Sequence, residues 1–235
     1  MRSPNSTNAL RRVSDPILRL NAADRPRAVL FDWDNTLVDN WISIHDALNT
    51  TFVALGREPW SLTEVRARVR ASARETFPFL FGERAEEAMR IFHDRFEAAH
   101  LNTLTSLTGA DDLLDMLDAA GIYLGVVSNK HGEFLRREAR QLGWQNRFAR
   151  LIGAGDASAD KPSTAPIALA LDGSGIAPGA SCWYVGDALI DIECARNAGC
   201  VAVLVGGAYG AETAEAKPDI WLSDLTALAK MFATQ

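Results

Sequence analysis

The chain is poor in the residues that build covalent or metal-stapled folds. It has three cysteines, Cys182, Cys194 and Cys200, with no CxxC pair among them, so neither a disulfide framework nor a zinc site is indicated. Its four histidines, His45, His93, His100 and His131, are scattered without HxH or HxxxH spacing. No apolar run approaches the roughly 18 residues of a membrane-spanning helix, and the amino-terminal stretch has no signal-peptide core. These absences give the expectation of a cytoplasmic protein with no membrane partner. Positive charge is also scarce. The formal net charge is −6, and because residues 1–27 carry six Arg against two Asp, the rest of the chain is at −10. An acidic body argues against a nucleic-acid partner.

What is present is enough apolar material, 48% of 235 residues, to bury one sizeable core and a small second one. The Arg-rich segment 1–27 reads as an amino-terminal extension, either a lightly docked tail or a transit peptide. From Arg27 to Asp34 the residues suit a strand buried on both faces. Helical spacing then takes over. Trp41, Ile44, Leu48, Phe52 and Leu55 mark one helix. Ser61 and Glu64 form a capping box for a second helix, running to about Glu75. Met89, Phe92, Phe96 and Ala99 mark a third.

After residue 103 strand and helix alternate. YLGVVSN, RLIGA, CWYVGD, VAVLVG and DIWLS read as strands, and the segments between them as helices stopped at Gly121, Gly143 and Gly199. The expected fold is α/β, a Rossmann-like doubly wound parallel sheet formed by 28–39 and 104–235, with an all-helical cap inserted at 40–103.

In such sheets the ligand site lies outside the carboxyl ends of the strands. Four of these ends carry polar groups: Asp32 and Asp34; Ser128, Asn129 and Lys130; Lys161; and Asp187 with Asp191. Asp32 and Asp34 flank Trp33, so period-2 geometry sends both acids to one side. Asp187 and Asp191 lie one helical turn apart. Carboxylates gathered this closely need a compensating cation, and a hard divalent ion with oxygen ligands, Mg²⁺, meets that need. Such an ion recruits an anionic substrate oxygen, which Lys161 and backbone N–H groups near Ser128 would also serve. Phosphate fits.

The set DWDNT, VVSN, DKP and GDALID resembles, in order and spacing, the four motifs of the haloacid dehalogenase-like hydrolase superfamily, and the helical insert looks like its small cap. The resemblance runs from about Ala28 to the carboxyl terminus and is nearest to phosphoglycolate phosphatases through VVSNK and KPSTAP. It implies a nucleophilic Asp32 that becomes an aspartyl phosphate, and Asp34 as general acid and then base. It implies Ser128 and Lys161 as holders of the phosphoryl group. Mg²⁺ would be bound by Asp32, Asp187, Asp191 and the backbone carbonyl of Asp34.

By the same resemblance Thr36 would orient Asp34 and the turn below it, and the Asn129 N–H would hold the phosphoryl group; Trp33, Lys130 and Arg70 are further candidates for substrate contact. Arg66, Arg70 and Arg74, four apart on the second cap helix, suit a substrate carboxylate. Asp34 favours phosphoryl over halide chemistry, because a departing halide needs no proton. Asn35 stands where the family usually has Gly, and Ala188 where Ser or Thr is common. The expected function is hydrolysis of a small phosphorylated metabolite, with 2-phosphoglycolate foremost. A phosphosugar mutase and a non-catalytic binding module on the same fold are the alternatives. The sequence leaves oligomeric state open.

Overall fold

The computed structural model describes residues 11–12, 20, 25–69, 73–206 and 217–233. In chain order the elements are β1 (Arg11–Arg12), β2 (Ala28–Phe31), β3 (Val38–Asp39), α1 (Trp41–Ala54), α2 (Leu62–Arg68), α3 (Ala73–Phe81), α4 (Ala85–Thr103), β4 (Thr105–Ser106), α5 (Ala110–Ala119), β5 (Tyr123–His131), α6 (Gly132–Gln141), β6 (Arg150–Ala154), α7 (Ala165–Leu171), β7 (Cys182–Gly186), α8 (Leu189–Asn197), β8 (Val201–Val205), β9 (Ile220–Leu222) and α9 (Leu225–Phe232). Among the described residues seven strands form one sheet in the order β1-β9-β8-β7-β2-β5-β6, and every neighbouring pair is parallel. No helix of the described residues is long and apolar enough to cross a membrane.

Alternation along β2 divides the core. Val29, Phe31 and Trp33 join the apolar layer formed with α5, α6 and α9. Ala28 and Leu30 face the layer that holds Ile167 of α7 and Ile192 of α8. Both faces are covered, which is why this strand reads as continuous hydrophobic sequence. Because β5 pairs with one edge of β2 and β7 with the other, the carboxyl end of β2 opens at the point where connections leave in opposite directions. Such a crevice is where α/β sheets bind ligands.

Between β3 and β4 the chain makes α1 to α4, which enclose an apolar cluster of their own built on Leu48, Phe52, Val65, Phe77 and Phe81. The two connections to this insert are themselves paired: Val38 lies opposite Ser106 and Asp39 opposite Thr105 in a short antiparallel ladder. Pairs this short have no sequence signature, and neither strand was expected.

The expected helix from 61 to 75 is a correction. The Ser61–Glu64 capping box is present, but α2 ends at Arg68, where Val69 turns extended (φ −83°, ψ 97°), and α3 starts afresh at Ala73. Arg66 and Arg74 therefore sit on different helices. No Gly or Pro marks the break, and Val65 of α2 and Phe77 of α3 are both buried in the insert's cluster. In the amino-terminal segment, β1 adds to the sheet beside β9 and the Leu20 N–H bonds to the Met231 carbonyl at 3.0 Å; the remainder of 1–24 lies outside the described residues.

Candidate active site

Where β2 ends, the chain turns sharply through Asn35, whose φ of 61° is the left-handed region that Asn tolerates better than most side chains. The turn closes with the Asn35 N–H on the Val38 carbonyl at 2.7 Å. It leaves Asp32 buried at 6% exposure and Asp34 on the rim of a cavity of about 390 Å³ between sheet and insert. Ser128, Lys161 and Asp187 share the polar floor of that cavity, while Trp41, Ile44, Phe77 and Phe92 of the insert form an apolar wall. A wider depression of about 670 Å³ at the opposite end of the strands, beside Arg27 and Tyr123, has none of these carboxylates.

One ammonium group organises the floor. Lys161 Nζ donates to Asp32 Oδ1 and to Asp191 Oδ1, each at 2.7 Å. Its loop is held by Asn129, whose Oδ1 accepts the Lys161 backbone N–H at 2.9 Å and whose Nδ2 donates to the Lys161 carbonyl at 3.1 Å. Asp191 is fixed at its other oxygen, where Oδ2 accepts the Ala188 N–H at the start of α8, 3.0 Å away, an arrangement the helix N-terminus favours. Gly186 makes room for it: a Cβ there would lie 2.3 Å from Asp191 Cγ. Thr36 Oγ1 donates to Asp187 Oδ1 at 3.4 Å.

Oxygens of Asp32, Asp187 and Asp191 lie within 4.8 Å of one another. Set against Lys161 alone, these three carboxylates are short of two positive charges, and the electrostatics register the deficit. Burial pushes Asp32 up to about 6, with Lys161 opposing and Asp191 adding to the shift. Burial, then Asp191 and Asp32, hold Asp187 well above the usual carboxylate range. Lys161 is held above its ordinary value because Asp191 and Asp32 outweigh the cost of its burial. An all-oxygen donor set with an uncompensated charge of about −2 fits a hard divalent cation.

Two expectations are corrected, those for Trp33 and Thr36. Trp33 does not reach the cavity: it is fully buried, edge-on to Trp144 and Phe148, because the alternation that aims Asp32 and Asp34 at the site aims Trp33 into the opposite layer. Thr36 contacts Asp187 rather than Asp34. Asn129 lines the cavity; its side chain is committed to the Lys161 loop, which leaves its backbone N–H as the group expected to meet substrate. Lys130 lines the cavity and is also a buried ion-pair partner, 2.8 Å from Asp34 Oδ1 and 2.7 Å from both oxygens of Glu138. Arg70 lies outside the described residues. Arg66 rests near Asp39 at 3.9 Å and Arg74 pairs with Asp160 at 2.7 Å, an exposed bridge worth about 0–1 kcal/mol.

Glu138, His100 and Asn40 were not anticipated. Asn40 Nδ2 donates to Asp34 Oδ1 and, at 3.3 Å, to Glu138 Oε2, and His100 Nδ1 lies 2.6 Å from Glu138 Oε1. A signal existed: Glu138 follows Phe134 and Leu135, and His100 follows Phe96, at helical spacing on apolar stripes where an ionisable residue needs a buried partner.

Residues 29–205 match the family described as haloacid dehalogenase-like hydrolase. The chain is 33% identical to the phosphoglycolate phosphatase of Xylella fastidiosa over 206 residues, covering 85% of this chain and 87% of that protein. It is 29% identical to that of Pseudomonas fluorescens over 219 residues, covering 86% and 78%. Among solved structures, a haloacid dehalogenase-like family protein from Streptococcus pneumoniae superposes with a TM-score of 0.80 at 23% identity, over 90% of this chain and all of that one. A predicted phosphoglycolate phosphatase from Haemophilus somnus gives 0.78 at 22%, over 88% and 98%.

Proposed function

The chain belongs to the haloacid dehalogenase-like hydrolases and is a phosphatase, and from that premise we propose that it hydrolyses a small phosphomonoester, with 2-phosphoglycolate the first candidate, through an aspartyl phosphate on Asp32. The observation that carries this reading is the Lys161 bridge between Asp32 and Asp191 beside an oxygen triad built for a dication. Asp32, Asp187, Asp191 and the Asp34 backbone carbonyl would hold Mg²⁺. When bound, the ion supplies neutralisation of the carboxylates and an electrostatic anchor for a phosphoryl oxygen.

In the first step a carboxylate oxygen of Asp32 attacks phosphorus. The Asp32–phosphorus bond forms as the bond to the ester oxygen breaks, and that oxygen leaves as the alcohol with the proton carried by Asp34. In the second step Asp34, now a carboxylate, takes a proton from water. The water oxygen attacks phosphorus, Asp32 departs, and inorganic phosphate leaves with Asp34 reprotonated. Lys161, the Ser128 hydroxyl and the Asn129 backbone N–H hold the non-bridging oxygens while charge redistributes.

The apolar wall of Trp41, Ile44, Phe77 and Phe92 favours a second reading of the substrate, an ester whose alcohol carries apolar surface. Phosphate release from 2-phosphoglycolate, from arylalkyl phosphates and from phosphosugars, each with and without EDTA, tests both. EDTA-sensitive release from 2-phosphoglycolate with kcat/KM above the others supports the first reading, and the reverse ranking the second. Isomerisation of a phosphosugar without release would indicate a mutase, and no turnover of any ester would leave a binding module.

A further inference from the structure

Behind Asp34 lies a buried polar chain that neither the metal triad nor the phosphate contacts use. Its centre is Glu138 on α6, fully buried, whose carboxylate meets four side chains from four elements. Trp33, just past β2, donates Nε1–H at 2.6 Å; Asn40, capping α1, at 3.3 Å; Lys130 of β5 at 2.7 Å; and His100 of α4 lies at 2.6 Å. Burial works against the charge on Glu138, but Lys130 and the hydrogen bonds from His100 and Trp33 outweigh it and hold the carboxyl below its ordinary value.

Two of those partners also hold Asp34, and both use the same atom. Lys130 Nζ and Asn40 Nδ2 donate to Asp34 Oδ1; among the described residues no hydrogen bond reaches Oδ2. With Oδ1 occupied, Oδ2 is the oxygen left to carry the proton of a residue that lines the cavity. Asn40 directly follows β3, and His100 lies on the last turn of α4 before β4, so the two crossings between core and insert both touch Glu138. Ser43 and Thr103 join the same crossings at 2.5 Å, and Phe96 of α4 stacks on His100 and lies 5.0 Å from Lys130 Nζ.

We propose that Glu138 is a positioning residue for the general acid and base: through Lys130 and Asn40 it fixes Asp34 Oδ1, leaves Oδ2 to carry the proton, and ties that orientation to the seating of the helical insert through His100. The proposal rests on the phosphatase reading above. Proton donation matters for a poor leaving group and little for a good one, so a misaligned Asp34 affects the two unequally. General acid catalysis is worth about 10²–10⁴-fold, and misalignment forfeits part of it.

The test compares kcat/KM for an alkyl phosphate and for p-nitrophenyl phosphate in wild type, Asp34→Asn, Glu138→Gln and His100→Asn, with thermal unfolding recorded for each. Wild-type turnover of both esters, with a selective loss on the alkyl ester in Asp34→Asn, establishes the underlying reading; its absence defeats that reading rather than this proposal. Given that, Glu138→Gln is expected to lower kcat/KM on the alkyl ester about 10–100-fold while p-nitrophenyl phosphate stays within about threefold, and His100→Asn to show the same selectivity at smaller size. Equal losses on both esters, or none in folded protein, overturn the proposal. Should Glu138→Gln not fold, His100→Asn decides alone by the same criterion.

Discussion

Trp33 donates its indole N–H to Glu138 at 2.6 Å, from the side of the strand end opposite to the acids on either side of it. The bond couples the most buried part of the core to the carboxylate behind the reaction centre without touching the cavity. Trp33→Phe keeps an aromatic side chain but removes the donor and part of the buried ring, so it is expected to cost at least about 1–3 kcal/mol of stability, read by urea unfolding, with KM unchanged. A raised KM at unchanged stability would return Trp33 to the substrate.

Lys161 sits at 5% exposure between two carboxylates. Lys161→Met removes that cation and leaves buried acids unpaired, a loss of about 3–5 kcal/mol in metal-free protein. On the proposed reaction it would also remove a phosphoryl contact worth about 10²–10³ in kcat. Added Mg²⁺ should recover part of the stability and little of the rate. Full rate in the variant would contradict the site.

The acid cluster gives metal-free protein a pH signature. Asp32 is shifted from 3.8 to about 6 in the folded chain, so the native state binds this proton more tightly than the unfolded chain does. Its contribution to stability is therefore lost as pH rises from about 4 through about 6, and Asp187, shifted in the same direction, adds to the loss. A dication relieves repulsion only once the acids are ionised. The increase in Tm caused by Mg²⁺ should then be small at pH 4.5 and larger at pH 7.5, and Asp32→Asn should flatten the difference. Equal increases at both pH values would show that the ion does not meet these acids.

Gly186 has an ordinary backbone but no space, since a Cβ would lie 2.3 Å from Asp191 Cγ. Gly186→Ala is expected to cost about 1–3 kcal/mol by overpacking and to reduce kcat by moving Asp191 off Lys161. Wild-type stability and rate together would mean that Asp191 has another position available.

The sheet was legible because β2, β5 and β7 are covered on both faces, which yields apolar runs that stop at polar residues where the crevice begins. The acids at 32, 34, 187 and 191 could be read for the same reason, since each sits at a strand end or in the first turn after one, whereas Lys161, in the long loop between β6 and α7, was read from the DKP motif. What could not be read came from contacts between distant segments. No Gly or Pro follows the end of α2 at Arg68, where Val69 turns extended, so no local breaker announced it. Lys130 looks like any loop lysine until Glu138, eight residues on, and Asp34 enclose it. The pairing of Val38 with Ser106 spans the whole insert and has no signature at either end. Trp33 was misread by proximity, although the alternation that paired its neighbours already excluded it.

The proposed reaction places phosphorus on a carboxylate oxygen of Asp32. Acid-quenching the enzyme during turnover of 2-phosphoglycolate or p-nitrophenyl phosphate, reducing with borohydride and mapping peptides by mass spectrometry tests this directly. An acyl phosphate reduces to the alcohol, so residue 32 should be recovered as homoserine only when substrate and Mg²⁺ were present. Phosphate release at full rate with residue 32 recovered unchanged, or homoserine found at another aspartate, would contradict it.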